Sequence, residues 1–110
     1  AQMNQFDKAR EILLAGLPFA GEDRGLHYQL GRLAALSGAE LEAGLNYLRA
    51  YLEVEPLPGS PTWADAFWRM GNIHEKLGDK EAAAASYKKS LEFNPDHKNA
   101  KDSLVKLEKN

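Results

Sequence analysis

Between residues 64 and 95 the chain reads ADAFWRMGNIHEKLGDKEAAAASYKKSLEFNP. Apolar residues recur there every three or four positions, which is the spacing of an amphipathic helix and not of a strand. Gly78 interrupts the pattern, and Asn94-Pro95 ends it because proline cannot continue a helix. The segment therefore predicts a helix to about Leu77, a tight turn, and a second helix from about Lys80 to Phe93.

The same order of residues occurs upstream. Gly31 and Gly71 are forty positions apart (71 − 31), and three further pairs keep that displacement: Gly38 and Gly78, Ala43 and Ala83, Tyr47 and Tyr87. Ala9 and Ala43 are thirty-four positions apart (43 − 9). The excess of six matches the segment PLPGSP at residues 56–61, so the shorter interval is the underlying period of the repeat.

Helical periodicity recurs six times along the chain. The predicted helices cover about residues 3–17, 23–36, 39–54, 62–77, 80–93 and 96–109. Asp23 is predicted to cap the second helix, because its carboxylate can accept from first-turn amides. Ser60 or Thr62 is predicted to cap the fourth, with Pro61 pre-set for its first turn. No run alternates as a strand does, so no sheet is predicted.

The recurring small residues predict close helix contacts. Gly31 and Gly71 lie in mid-helix, where glycine costs about 1 kcal/mol relative to alanine. A cost that is repeated suggests a neighbouring helix pressed against bare backbone. Ala43 and Ala83 are expected to be small for the same reason, and Tyr47 and Tyr87 to fill the wider gap one turn later.

A helix–turn–helix with this period and with the order large residue, Gly, Gly, Ala, aromatic, small residue, Pro resembles the tetratricopeptide repeat. The resemblance covers nearly the whole chain and is closest over residues 64–97. It is looser over 23–56, where His27 stands in place of a bulky aromatic residue, Ala34 stands in place of tyrosine, and Pro56 comes one place late.

The resemblance implies an all-α fold, a right-handed superhelical stack of antiparallel helix pairs forming one domain over residues 1–110. Its expected units are a half repeat at 3–20, a repeat at 23–56, a proline-rich insertion at 56–61, a repeat at 64–97 and a capping helix at 97–109. The half repeat lacks a first helix. The chain is therefore expected to be part of a longer protein, or to meet another copy through its N-terminal helix.

Composition excludes several classes of site. The net charge is −2 and the pI is about 5.9, so no nucleic-acid partner is expected. Cysteine is absent, which removes thiolate metal sites, disulfides and cysteine nucleophiles. No apolar run reaches the roughly 18 residues of a membrane span, so no membrane association is expected. The compartment stays open, because cytoplasmic and periplasmic placements both fit.

No catalytic constellation is visible. The three histidines, His27, His74 and His97, are scattered, and no spacing puts two of them on one face beside a carboxylate. His74-Glu75 is not part of a zinc-binding H-E-x-x-H helix, because position 78 is glycine. The chain is therefore predicted not to be an enzyme and to need no metal or cofactor.

What remains is a binding surface, and the resemblance implies where it lies. In the family the first helix of each pair lines a concave groove that binds a protein or peptide. Carried onto this sequence, the groove contains Tyr28, Gln29, Arg32, Ala35, Leu36, Asp65, Trp68, Arg69, Asn72, Lys76, Asn99, Ser103 and Lys106.

Within this set, Arg32 and Arg69 can bind carboxylates bidentately, and Trp68 and Tyr28 are of the type enriched at interface hot spots. The alternative is that Trp68 packs on a neighbouring helix while the arginines are merely solvated. A second alternative for the whole chain is a structural segment that self-associates or positions another domain.

One subset of the family grips the terminal carboxylate of chaperone tails with Lys and Asn on one helix and Lys and Arg on a later one. In this sequence Tyr28 and Arg32 replace the first pair, and Asn99 and Ser103 replace the second. Binding of a chaperone tail is therefore disfavoured.

Overall fold

In a computed structural model of the protein, the described residues are 2–21 and 23–109, with side chains described from residue 5 onward. They form six α-helices and one 3₁₀ turn (Leu17–Phe19), with no strand. The helices are α1 (Gln2–Gly16), α2 (Gly25–Ser37), α3 (Leu41–Tyr51), α4 (Trp63–Lys76), α5 (Lys80–Phe93) and α6 (Lys98–Lys109). The predicted all-α fold with six helices is confirmed.

Neighbouring helices pair along the chain. The most extensive contacts are those of α2 with α3 and of α4 with α5, and short turns join the members of each pair. Helix α4 also packs on α2 and α3, while α6 lies on α5 and α1 lies on α2. These contacts produce a stack of helix pairs that measures 41 × 34 × 18 Å. The handedness of the stack and the bounds of the repeats stay predictions.

The start of α4 shows how the sequence fixes a helix end. Thr62 is the N-cap: its Oγ1 accepts from the Asp65 amide at 3.2 Å, and the Thr62 amide donates to Asp65 Oδ2 at 2.9 Å. This reciprocal capping box satisfies two amides that lack helical partners. Thr62 and not Ser60 is thus the cap, and Pro61 precedes the helix instead of lying in its first turn.

Two other predicted helix starts were wrong. Helix α2 begins at Gly25, so Arg24 and not Asp23 occupies the N-cap position. The Asp23 carboxylate still accepts from the Gly25 amide at 2.8 Å, two residues along the chain. Helix α3 is shorter than predicted and begins at Leu41, because Glu40 takes a left-handed conformation that an α-helix cannot include.

The mid-helix glycines are sites of close approach, as predicted. A Cβ atom at Gly71 would lie 2.6 Å from Cδ1 of Tyr87, whose side chain is fully buried. At Gly31 the corresponding atom would lie 2.6 Å from Cδ2 of Leu48, which is also fully buried. In both pairs a large side chain of the second helix rests on bare backbone of the first.

The second helices of the two pairs are related by a displacement of thirty-nine positions and not of forty. Leu48, not Tyr47, covers Gly31 as Tyr87 covers Gly71 (87 − 48), and Gly44, not Ala43, is buried as Ala83 is (83 − 44). Gly44 must be small, since a Cβ atom there would lie 3.1 Å from Ile73 Cδ1. Tyr47 instead is half-buried, with its ring 6.1 Å from that of His27.

This shift means that one extra residue precedes α3. Six positions separate Gly38 from Gly44 (44 − 38), but five separate Gly78 from Ala83 (83 − 78). Glu40 lies in this stretch with φ +55°, the single positive φ among the non-glycine residues described. One residue of the excess of six therefore belongs to this turn and five belong to the proline-rich segment.

The proline-rich segment is tied down at both ends. Tyr51 Oη donates to the Pro61 carbonyl at 2.5 Å, and Trp63 Nε1 donates to the Val54 carbonyl at 3.2 Å. Because Tyr51 is a buried core residue, the first bond links the segment directly to the packing of α2 and α3.

Gly71→Ala tests the close approach. An alanine would favour the helix by about 1 kcal/mol if space were available. Because its methyl group would overlap the Tyr87 ring, we expect a net loss of about 1–3 kcal/mol in the free energy of unfolding, measured with urea. The loss should shrink in a Tyr87→Leu background, since the two changes share one contact. A stabilised single variant would contradict the contact.

Glu40→Gly tests the extra residue. Glycine enters the left-handed region without the steric cost of about 1 kcal/mol that other residues carry, so urea unfolding should show a gain of roughly 0.5 kcal/mol. Glu42→Gly is the matched control: Glu42 lies in the first turn of α3, where glycine should lower stability. Equal losses in both variants would sink the assignment.

Candidate partner-binding groove

A shallow groove of about 350 Å³ lies between α2 and α4. Its walls are Ala35 and Leu36 on α2 and Arg69, Asn72, Glu75 and Lys76 on α4. We call this set the α2–α4 groove. It brings together five of the residues predicted from the sequence. The sixth, Glu75, was missed, although it lies on the same face of α4 as Asn72, three positions further along.

Arg69 is the most constrained cation of the groove. Its guanidinium carbon lies 4.1 Å from the centroid of the Trp68 ring, a cation–π arrangement. The Arg69 Nε is buried without a hydrogen-bond partner, and Arg69 forms no ion pair among the residues described. Its charge is therefore held in position but not neutralised.

Glu75, the acidic residue of the groove, is already hydrogen-bonded to a core side chain. The Tyr87 hydroxyl donates to Glu75 Oε2 and accepts from Asn72 Nδ2 at 3.1 Å. Burial of the Tyr87 phenol, together with the hydrogen bond to the Glu75 carboxylate, raises the pKa of Tyr87 far above its ordinary value. The phenol therefore stays protonated and keeps Glu75 and Asn72 in fixed positions.

The balance of charge in the groove is positive. Lys76 is exposed and, like Arg69, makes no ion pair in the described part of the chain. Two cations thus face one carboxylate, whose Oε2 already accepts the hydrogen bond from Tyr87. Leu36 adds an apolar element, since 45% of its surface is exposed. The arrangement can hold a negatively charged group beside an apolar one.

Trp68 packs on a neighbouring helix, as the alternative interpretation held. Its Nε1 donates to Ser103 Oγ of α6 at 3.2 Å, and its ring lies 5.9 Å from that of His97. The side chain is half-buried and joins α4 to α6. Trp68 therefore supports Arg69 from the side and does not line the α2–α4 groove itself.

Tyr28 was expected on the groove surface, but it belongs to the core. Only 5% of its surface is exposed, and its ring lies 5.3 Å from that of Tyr51. The reason is packing between helices, because Tyr28 belongs to the core cluster that contains Tyr51 of α3 and Ala66 and Met70 of α4. The predicted place of Tyr28 on the groove surface is therefore wrong.

The other predicted residues lie outside the α2–α4 groove. Gln29 and Arg32 are exposed on α2, and Asn99 and Lys106 are exposed on α6. Asp65 is committed to local structure through the capping box and through His97 Nε2, at 2.7 Å from Asp65 Oδ1. Their roles in binding stay predictions.

The second helix pair matches a known repeat family. Residues 64–97 match the family model described as Tetratricopeptide repeat. The match covers α4, α5 and the turn that joins them. Residues 64–97 are thereby identified as a tetratricopeptide repeat.

Two curated proteins resemble this tetratricopeptide repeat chain. Heat shock protein STI1 of Saccharomyces cerevisiae is 36% identical over 99 residues, which cover 90% of this chain and 16% of that protein. Hsp70-Hsp90 organizing protein of Triticum aestivum is 39% identical over 49 residues, which cover 44% of this chain and 8% of that protein. The chain thus spans less than a fifth of the length of either relative.

Over residues 2–21 and 23–109, every helix is too short or too polar to span a membrane. Among the same residues, no group of three or more His, Cys, Asp or Glu side chains is arranged to hold a metal ion.

The Asp65–His97 contact fixes α6 to the matched repeat. His97 Nδ1 accepts from the Ala100 amide at 3.1 Å, so the proton on the other ring nitrogen points to Asp65. Burial acts to raise the pKa of Asp65, but the hydrogen bonds from the Thr62 amide and from His97 outweigh it and hold the pKa below its ordinary value.

This lowered pKa predicts how stability depends on pH. The Asp65 carboxylate stabilises the fold above its unfolded pKa of about 3.9, and this stabilisation is lost as the pH falls through the lower folded pKa. The difference in free energy of unfolding between the wild type and Asp65→Asn should therefore be largest near neutral pH and should shrink in acid. The exposed Asp102→Asn is the control, and a gap that stays constant with pH for Asp65→Asn would refute the assignment.

Proposed function

We propose that this tetratricopeptide repeat domain binds an acidic segment of a partner protein in the α2–α4 groove, as an extended peptide or a helix. The observation that carries the proposal is Arg69, whose guanidinium is held against the Trp68 ring while its charge has no acidic partner among the described residues. A cation that is positioned in advance loses little conformational freedom when it binds a carboxylate.

The groove supports one arrangement of such a ligand. The Arg69 guanidinium can donate two parallel hydrogen bonds to a carboxylate, and Lys76 supplies a second cation less than two turns along α4. Leu36 offers an apolar contact across the groove on α2. The expected ligand therefore carries acidic side chains next to an aliphatic one.

The relatives agree with a protein partner. The name of the Triticum aestivum protein says that it organises Hsp70 and Hsp90. A chaperone is accordingly one class of partner for this domain. Its terminal carboxylate is a poor candidate for the bound group, because Tyr28 is buried and Ser103 is engaged by Trp68, so neither offers the cation or amide expected of a carboxylate clamp. We infer an internal acidic segment.

The alternative function is structural, through self-association or as an accessory segment of a larger protein. The feature that favours it is α1 and the turn after it, where Ile12 is 72% exposed and Phe19 is 88% exposed. This surface is apolar and belongs to α1 and the turn after it, whereas the α2–α4 groove is lined by residues of α2 and α4. The two functions therefore depend on different residues and can be separated by mutation.

Arg69→Glu tests the groove. We expect capture of partners from a lysate of the source cells to fall at least about tenfold, because the substitution replaces attraction to a carboxylate by repulsion. An amidated peptide of alternating Leu and Glu should show the same loss by calorimetry, and its Leu/Gln counterpart should bind weakly to both proteins. Adding a free C-terminal carboxylate to the peptide should change little.

Arg49→Glu is the matched control, since Arg49 is an exposed arginine on α3 outside the groove. It should leave capture intact. Circular dichroism and sedimentation must show that Arg69→Glu stays folded with an unchanged oligomeric state. Capture that survives Arg69→Glu, or that falls equally with Arg49→Glu, would reject the groove as the binding site.

A further inference from the structure

A second cleft, of about 550 Å³, lies at the opposite end of α4 from the α2–α4 groove. It is formed by residues 55–60, which include most of the proline-rich segment, by the start of α4, and by Phe93 and Asn94 at the end of α5 and just after it. We call it the insertion cleft. Trp63 in the cleft and Lys76 in the groove are thirteen positions apart on one helix (76 − 63), which is about 20 Å at about 1.5 Å of rise per position.

Aromatic rings form one wall of the insertion cleft. The rings of Trp63 and Phe93 are nearly perpendicular, at 84°, with centroids 5.6 Å apart. Phe67 stacks on Phe93 at 5.6 Å and 9°, and the indole N–H of Trp63 is held by the Val54 carbonyl. The rings are therefore fixed in place, yet Phe93 stays 49% exposed. Fixed and exposed aromatic surface is available to a ligand.

The wall formed by residues 55–60 is rich in hydrogen-bond acceptors. Pro56 and Pro58 have no backbone N–H, and their carbonyls, like that of Glu55, accept no hydrogen bond from the described residues. The Glu55 carboxylate is exposed and forms no ion pair in the described part of the chain. This wall therefore favours a ligand that donates hydrogen bonds and carries positive charge.

The charges that border the cleft do not cancel that of Glu55. Lys89 lies over the Phe93 ring at 5.8 Å, but its ammonium is paired with Glu92 at 3.3 Å. The amino end of α4 would favour an anion, but the Asp65 carboxylate already occupies it through the capping box. The last turn of α5 contains no basic residue. Arg24 lines an adjoining pocket together with Glu55, but its guanidinium is paired with Glu53 at 3.8 Å. Among the described residues that line the cleft, Glu55 therefore carries the one unpaired charge.

We propose that the insertion cleft binds an arginine side chain presented by an extended segment of a partner protein. The guanidinium stacks on the exposed aromatic surface of Phe93 and Trp63 and donates to Glu55 and to the free carbonyls of the segment. Arginine fits better than lysine because its planar group is weakly hydrated, stacks on aromatic faces and offers five donors. An arginine already lies on an aromatic ring elsewhere in the chain, where the Arg69 guanidinium is held against Trp68.

The site is separate from the one proposed for an acidic ligand, and its ligand has the opposite charge. The domain would then hold a partner, or two partners, at both ends of α4. A charge reversal in the α2–α4 groove should leave the insertion cleft unaffected, so the two proposals fail independently.

The probe is the peptide acetyl-Gly-Pro-Arg-Pro-Gly-amide, in which the prolines keep the backbone extended. We expect saturable shifts of the Trp63 indole and of the Gly59 and Asn94 amides in ¹⁵N-resolved NMR spectra, with a dissociation constant of about 1 mM or tighter. A peptide with citrulline in place of arginine has the same shape without the charge and should bind at least about tenfold more weakly.

Glu55→Gln should weaken binding of the arginine peptide about tenfold without affecting the fold, since Glu55 makes no contact through its carboxylate among the described residues. Arg69→Glu should leave that binding unchanged. The proposal is overturned if the citrulline peptide binds equally well, if Glu55→Gln has no effect, or if no saturable shift appears. Shifts of the same signals on concentrating the protein alone would instead show that a second copy occupies the cleft.

Discussion

The contact of the Tyr87 ring with the bare backbone of Gly71 is the constraint on which the rest of the structure depends. It sets how closely α5 approaches α4, and it buries Tyr87 completely. Because the ring is fixed there, the Tyr87 hydroxyl reaches Glu75 and Asn72, which lie on the groove side of α4. This contact in the core thereby positions polar groups on the surface. The same contact recurs in the first pair, with Leu48 on Gly31. Leucine carries no hydroxyl, so the first pair has no equivalent polar support.

The sequence was sufficient for the helices of the second pair and for the repeat that relates the two pairs. It was insufficient for the register of α3. Alignment by identity paired Tyr47 with Tyr87 and Ala43 with Ala83, whereas packing pairs Leu48 with Tyr87 and Gly44 with Ala83. A turn can absorb one residue where the backbone enters the left-handed region, as Glu40 does, and glutamate gives no sign of this conformation. The late position of Pro56 was the available clue, because it carries the same displacement of one residue.

The family resemblance placed the candidate binding groove along α2 and α4, and the structure brings Ala35, Leu36, Arg69, Asn72 and Lys76 together there. It could not predict what covers a position from outside its own helix. Tyr28 is buried because the Tyr51 ring of α3 packs against it, and Trp68 is engaged because Ser103 of α6 lies within reach. Both contacts join residues from different elements, and no local pattern encodes such a contact. Glu75 was missed for a different reason. It lies on the same face of α4 as Asn72, but it is not at one of the helix positions that line the groove in the family.

Helix α4 carries both proposed sites, and its internal structure keeps them distinct. At its amino end Asp65 is shared between the capping box and His97, which leaves Glu55 as the free carboxylate of the insertion cleft. Toward its carboxyl end Glu75 is taken by Tyr87, which leaves Arg69 and Lys76 as the free cations. Structural hydrogen bonds therefore engage one carboxylate at each end of α4. A free carboxylate is left for a ligand near the amino end, and free cations are left toward the carboxyl end. Acidic and basic segments would for that reason bind at opposite ends of one helix, and a single partner that carries both would be bound in one direction along α4.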